Sequence, residues 1–259
     1  MKVKEIIAEI ENFAPLSIQE SWDNSGLIIG SPEDEVHGVL VGFDCTPELV
    51  EEAAEKGADM IVTHHPLIFK GIRKISPDDV VGLAIIKAIQ SGIAIYAAHT
   101  TADKVADGVS GAMARRLNLQ KVEILDPDGE GTGLGLIGDL PCPLTAMEAV
   151  ELVKKSFHLK VIRASRPIPG KISKVALCGG SGSCYIDLAH EKGAQLYITG
   201  DITYHNFFVT NDFMLMDIGH FESEIDIADI FFTLLKKKFP NFAVHISSNL
   251  NISNPIYYF

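Results

Sequence analysis

Apolar residues fall along this chain in two rhythms. Short, mostly apolar runs occur at Leu27–Ile29, Val39–Phe43, Met60–Val62 and Ile93–Ala97, and again at Lys174–Leu177, Leu196–Ile198 and Met214–Ile218. Each is too short for a helix and is bounded by polar residues or glycine, which predicts buried strands. Between them apolar residues recur at helical spacing: Val3 to Ile10, Pro47 to about Lys56, Val80 to Gln90, Gly108 to Leu117 and Thr145 to Phe157. A further helix opens after the turn Gly179-Gly180-Ser181-Gly182-Ser183 and ends at Glu191-Lys192-Gly193. Thr46 followed by Pro47 reads as an N-cap with proline at the first helical position, and Gly57 as the matching C-cap. Ser91-Gly92 ends another helix, and Trp22-Asp23-Asn24-Ser25-Gly26 is a turn. Strand and helix alternate, so the predicted class is α/β with parallel pairing and crossover helices.

The pattern repeats. Glu55-Lys56-Gly57-Ala58-Asp59-Met60-Ile61-Val62-Thr63 matches Glu191-Lys192-Gly193-Ala194-Gln195-Leu196-Tyr197-Ile198-Thr199 in residue class throughout, and in identity at Glu, Lys, Gly, Ala and Thr. With the flanking elements aligned as well, this predicts an internally duplicated α/β unit: 1–126 as the first repeat and 127–259 as the second. The join falls in the polar Gly/Pro segment Asp126 to Gly131, expected to be a loop.

Composition narrows the function. The 259 residues are 47% hydrophobic, enough for a sizeable core, and the net charge is −12 with a pI near 5.1. Such a chain repels a phosphate backbone on average, so nucleic acid is not an expected partner. Lys236-Lys237-Lys238 reads as a helix C-terminus favoured by the dipole. No apolar stretch approaches the length of a membrane span, and Met1 to Glu11 lacks the apolar core of a signal peptide. The cysteines Cys45, Cys142, Cys178 and Cys184 form no Cys-x-x-Cys pair, and the expectation is reduced thiols in a cytoplasmic protein.

The chemistry concentrates at strand ends. Thr63-His64-His65-Pro66 follows the Met60–Val62 run, at the sheet edge where open α/β folds bind ligands. After the last strand of each half stands a histidine with a carboxylate four residues on: His99 with Asp103, and His220 with Glu224. That spacing shares a helix face and suits either joint chelation or a ligand beside the group that orients it. His64, His65, Asp103, His220 and Glu224 together supply enough donors for two divalent ions with one carboxylate bridging. The donor types suit zinc, manganese, iron or nickel better than calcium. Each pair alone is better explained by an N-cap acid beside a packed histidine; all of them at strand ends is not. Asp201 and His205, again four apart, read either as partners of the ligands, as an acid/base pair acting on substrate, or as an N-cap and an exposed helix histidine. The Gly179–Ser183 turn could cradle an anion, but it lacks the P-loop lysine, and glycines for tight helix–sheet packing explain it better.

The residues Trp22-Asp23-Asn24-x-Gly26, Asp44, Thr63-His64-His65-Pro66, His99-x-x-x-Asp103, Gly179–Ser183, Gly200-Asp201-x-x-x-His205, Gly219-His220-x-x-Ser223-Glu224 and Asn254-Pro255 resemble the Nif-three-like family, whose bacterial members carry the label GTP cyclohydrolase I type 2 homolog. The resemblance spans nearly the whole chain. It implies two intertwined, internally duplicated α/β units with mixed sheets, a dinuclear metal site in the crevice between them, and a ring-shaped homohexamer. It further implies that His64, Asp103 and Glu224 hold one ion and His65, His220 and Glu224 the other, with Glu224 bridging and His99 a nearby site residue. Thr101-Ala102 and the segment Asp107-Gly108-Val109-Ser110-Gly111 depart from the family pattern, which puts substrate contacts there in question. The chain looks like the short form, without an inserted domain.

The expected function is a metal-dependent hydrolase acting on a small molecule. By resemblance that molecule is GTP, its purine opened with release of formate, and His99, Asp201 or His205 moves protons. Cations for a triphosphate are few near the motifs: Lys70, Arg73, Lys74 and Lys104. The alternative is a non-enzymatic metal-binding, regulatory or interaction protein assembled as a ring.

Overall fold

The structure is a computed structural model that describes residues 1–258. In chain order its elements are α1 (Val3–Phe13), β1 (Gly26–Ile29), β2 (Gly38–Val41), α2 (Pro47–Glu55), β3 (Met60–Thr63), α3 (Val80–Ser91), β4 (Ala94–Ala97), α4 (Thr100–Lys104), α5 (Val109–Arg116), β5 (Gln120–Gly129), β6 (Thr132–Thr145), α6 (Ala146–Ser156), β7 (Arg163–Ala164), β8 (Lys171–Leu177), α7 (Ile186–Glu191), β9 (Leu196–Thr199), β10 (Met214–Asp217), α8 (His220–Glu224), α9 (Asp226–Lys238) and β11 (Ala243–Ile246). The class is α/β, as the alternation predicts, and the two sheets are mixed, as the resemblance implies. Among the described residues no helix is long and apolar enough to cross a membrane.

One compact unit comprises Met1–Ala102 and the chain from Ile227 onward. Its sheet runs in the order β1-β4-β3-β2-β11, parallel except for β1. Every residue of β2, β3 and β4 is buried, which is why these strands read as continuous apolar runs rather than alternating ones. Leu40, Ile61 and Ile95 form one face and pack against Leu49, Val50 and Ala53 of α2 and Ala84, Ile85 and Ala88 of α3. Burying each such large aliphatic contributes about 1.5–3 kcal/mol. Thr46 Oγ1 accepts a hydrogen bond from Leu49 N at 3.2 Å ahead of Pro47, so α2 starts where its cap dictates. Because β2, β3 and β4 are parallel, the segments that follow them — Asp44, His64-His65 and His99 — leave the same edge of the sheet.

The other unit, Asp103–Asp226, holds the six-stranded sheet β5-β6-β8-β9-β10-β7, in which β8, β9 and β10 are parallel. Val175, Leu177, Leu196, Ile198, Met214 and Met216 face α5 and α6, while Ala176, Tyr197 and Leu215 face α7. This is the period of two expected of a sheet covered on both sides. The two matched nine-residue segments play the same part in each unit. Each ends a helix, turns through a glycine at positive φ (Gly57 +67°, Gly193 +82°) and enters a central parallel strand.

One expectation differs from the structure. The segment Asp126 to Gly131 is not a loop: Asp126 to Gly129 end β5, and a tight turn leads into β6, with Asp126 paired to Leu134 and Gly129 to Thr132. β5 is an edge strand, where proline is tolerated. Gly133 at φ +153° allows a passage in which a Cβ would sit 2.2 Å from Asp126 O. The compact units divide at 102/103 and 226/227. The reason is that the C-terminal chain returns to the first sheet, where β11 pairs in parallel with β2 from Ala243–Gly38 to Ile246–Val41.

Candidate functional site

In the first unit three histidines converge at the sheet edge. His64 is fully buried immediately after β3. The His64 and His65 backbone N–H groups both donate to Phe43 O, at 3.1 and 3.3 Å, and Thr63 Oγ1 donates to His65 O at 2.9 Å. These bonds bend the chain out of extended geometry and bring two adjacent rings to one side, their centroids 4.8 Å apart. His99 joins them at 5.3 Å from each ring. One ligand atom from each of His64, His65 and His99 lies within 4.8 Å of the others, a group that could hold a metal ion.

Each ring is oriented through Nδ1. His64 Nδ1 lies 3.0 Å from Ala98 O, which can only accept, so Nδ1 carries the proton and Nε2 the lone pair. His65 Nδ1 lies 2.7 Å from Asp44 Oδ1, and His99 Nδ1 lies 2.8 Å from Asp23 Oδ1. The Asp23 carboxylate also accepts from Ser25 Oγ at 2.6 Å and from Thr100 Oγ1 and N at 2.5 and 3.1 Å. Burial opposes its ionisation, but the bonds from His99, Ser25 and Thr100 outweigh burial and hold the carboxyl well below the usual carboxylate range. A carboxylate or carbonyl behind an imidazole is the arrangement that fixes tautomer and orientation in metal-ligating histidines.

In the second unit His220 opens α8 directly after β10 and is clamped between two carboxylates. Its Nδ1 lies 2.7 Å from Asp201 Oδ2 and its Nε2 lies 3.0 Å from Glu224 Oε2. Spacing by four therefore does place His220 and Glu224 together. Asp201 does not pair with His205, four residues on; it turns to His220 from φ +53°, a left-handed conformation that Asp tolerates better than most residues. His205 is exposed, its ring against those of Tyr204 and Phe208. Asp217, 6% exposed, ties the neighbouring backbone: Oδ2 accepts from Ile202 N and Oδ1 from Gly219 N, both at 3.0 Å.

The Gly179–Ser183 turn makes room for these side chains. A Cβ on Gly180, at φ +61°, would lie 2.2 Å from Glu224 Oε1, and one on Gly200 would lie 2.8 Å from His220 N. The Gly180 N–H donates to Ser223 Oγ and the Gly182 N–H to Thr199 Oγ1, both at 2.9 Å. Those amides serve the protein, and the packing explanation of the glycines holds over the anion cradle. Asp103, in α4, and the buried Glu224 both bring negative charge to bear on Cys178; burial first, and then these carboxylates, push its thiol well above the usual cysteine range. All four cysteines are free. The sequence left Asp23 between lining the crevice and a turn role and gave Asp44 no role beyond its place in the family motif; the structure has them orienting His99 and His65. A turn preference explains either position in the sequence equally well.

Fold and side chains together define an α/β protein with two mixed sheets and histidine/carboxylate groups able to hold a metal ion. The sequence model of the family described as Duf34/NIF3 (NGG1p interacting factor 3) matches residues 1–255, and the chain belongs to that family. It is 38% identical over 230 residues to a GTP cyclohydrolase 1 type 2 homolog of Clostridium perfringens, covering 86% of this chain and 87% of that one. Among solved structures it is similar to a hypothetical protein of Staphylococcus aureus, with a TM-score of 0.92 and 29% identity over 100% of this chain and 99% of the other. It is also similar to a Bacillus cereus protein related to NIF3, with a TM-score of 0.93, 26% identity and the same coverage.

Proposed function

We propose that this chain is a dinuclear metal-dependent hydrolase whose substrate is a small molecule of the purine nucleotide class. The observation that carries the reading is the clamp on His220. With Asp201 at Nδ1 and Glu224 at Nε2, the ring faces carboxylates at both nitrogens, and a divalent cation would take the place of the Nε2 proton. His64 and His65, their Nδ1 atoms already bonded to Ala98 O and Asp44, likewise offer Nε2. Following the family resemblance, we assign His64, Asp103 and Glu224 to one ion and His65, His220 and Glu224 to the other, Glu224 bridging. The donor chemistry fits zinc, manganese, iron or nickel. When bound, such a pair lowers the pKa of a bound water toward neutrality and polarises the bond under attack.

The chain's own residues do the rest. Asp44 and Asp201 hold the rings of His65 and His220, so that neither turns away when the site is empty. His99, held at Nδ1 by Asp23, keeps Nε2 for proton transfer to or from substrate. His205, exposed and with no ion pair among the described residues, is a second proton carrier. Asp201 acts through His220 rather than on substrate. The names borne by relatives point to GTP, opened at the five-membered ring with release of formate. The test is to incubate metal-loaded protein with GTP and follow formate. Release by the parent and none by Glu224→Ala is expected; equal rates in the two would sink the assignment.

The family's description as an NGG1p interacting factor favours a second reading, a ring-shaped homohexamer that holds metal and binds partners without turnover. Spectroscopy on cobalt-substituted protein separates them: a catalytic ion keeps an open position for water or substrate, whereas a structural one is closed.

A further inference from the structure

Trp22 and Phe69 are 58% and 46% exposed, yet both are firmly placed. Their ring centroids are 5.9 Å apart at 62°, and each stands edge-on to His99, at 6.0 and 5.7 Å. Asn24 Nδ2 donates to Ile68 O at 2.6 Å, tying the turn that carries Trp22 to the loop that carries Phe69. Asp23, between Trp22 and Asn24, holds His99. The aromatic pair therefore belongs to the same frame as the nitrogens of His64, His65 and His99. Solvent-facing aromatic rings fixed beside such a cluster mark a surface that something covers. The five residues after Phe69 are all exposed, and they include Lys70, Arg73 and Lys74. None of these three cations has an ion pair among the described residues, although acidic groups outnumber basic ones by 34 to 22 in the chain.

We infer that Trp22, Phe69 and the Lys70–Lys74 segment bind a phosphorylated heteroaromatic compound, a nucleotide, with its flat ring on the aromatic pair and its phosphates on the cations. Every base has a π-face that stacks on an aromatic side chain, and a locally basic loop on an acidic protein selects an anion from solution. The inference rests on the hydrolase reading only for the choice of a purine; recognition itself is read without turnover. The competing occupant is a second copy of this chain, which would cover Ile72 and Ile75, also exposed at 42% and 52%.

Trp22 is the only tryptophan in the chain, so its fluorescence reports on this surface alone. The experiment titrates the metal-loaded full chain with GTP, guanosine and tripolyphosphate. Saturable quenching by GTP is expected, weaker binding by guanosine, and for Phe69→Ala a loss of roughly ten- to a hundredfold in GTP affinity, the range of one base stack. The combined Lys70→Ala, Arg73→Ala, Lys74→Ala variant should weaken GTP at least tenfold and leave guanosine unchanged. No saturable change with GTP at millimolar concentration overturns the inference. So does a signal that follows protein concentration instead of nucleotide, which would place a second copy over Trp22. A triple variant that binds GTP like the parent overturns the phosphate half. Thermal midpoints matching the parent exclude misfolding of the variants. If formate release fails while quenching persists, the hydrolase reading falls and this one stands; if formate is released and Phe69→Ala binds GTP unaltered, the reverse holds.

Discussion

Asp201 Oδ2 lies 2.7 Å from His220 Nδ1, and it does so from a left-handed backbone conformation at φ +53°. A non-glycine residue held there costs about 1 kcal/mol or more, and the contact it secures fixes which His220 nitrogen is left for a cation. Removing the carboxylate in Asp201→Ala should lower metal affinity about 10- to 100-fold. Asp201→Asn, whose amide oxygen still accepts from Nδ1–H, should keep most of it. Competition with a chromophoric chelator measures both, and unaltered affinity in the alanine variant would show that the ring needs no such support.

Gly180 and Gly57 both stand at positive φ, +61° and +67°, but in different surroundings. A Cβ on Gly180 meets Glu224 Oε1 at 2.2 Å, whereas one on Gly57 meets nothing within 4 Å. Gly57→Ala should cost only the conformational penalty of about 1 kcal/mol. Gly180→Ala should cost about 1–3 kcal/mol more from overpacking, and it should lower metal binding by displacing the Glu224 carboxylate. Urea denaturation of the two variants checks the ordering.

Asp23 gives the acid limb of the stability profile a specific origin. Its carboxyl titrates well below the ordinary value in the folded chain, because the His99, Ser25 and Thr100 bonds outweigh burial. A depressed folded pKa means stability that is fully present above the unfolded value, about 3.9, and lost as pH falls below it toward the folded one. Asp23→Asn should lower the urea midpoint at pH 7 and flatten the decline between pH 4 and pH 3 that the parent shows. An equally steep decline in the variant would assign the acid limb to other carboxylates.

Elemental analysis of protein purified without chelator should find about two ions per chain, as the bridging-carboxylate assignment requires, and fewer in His65→Ala. Chelation should then lower the thermal midpoint, since a ligand at 100 times its Kd stabilises the folded state by about 2.7 kcal/mol. No metal in the parent, even after loading with zinc or manganese, would remove the foundation of the hydrolase reading.

The α/β class and the central strands were legible in the order of residues alone. Buried parallel strands such as Met60–Thr63 need uninterrupted apolar residues, and caps such as Thr46-Pro47 mark where helices start, so both are written locally. His220 with Glu224 was legible because four residues is one helical turn. What lies far apart in sequence was not legible. His99 takes its carboxylate from Asp23, 76 residues away, because antiparallel β1 begins at the edge where β4 ends, and His65 takes its own from Asp44, 21 residues away, because parallel β2 and β3 end at that same edge. The hairpin through Pro127 was hidden because an edge strand tolerates the residues that elsewhere signal a loop. The return of β11 to β2 is a nonlocal pairing that no run of residues announces. The glycines of the Gly179–Ser183 turn show the division most plainly. Their sequence announces only a turn; the tertiary structure decides that the missing Cβ is the space occupied by Glu224, because only packing tells one reason for a glycine from another.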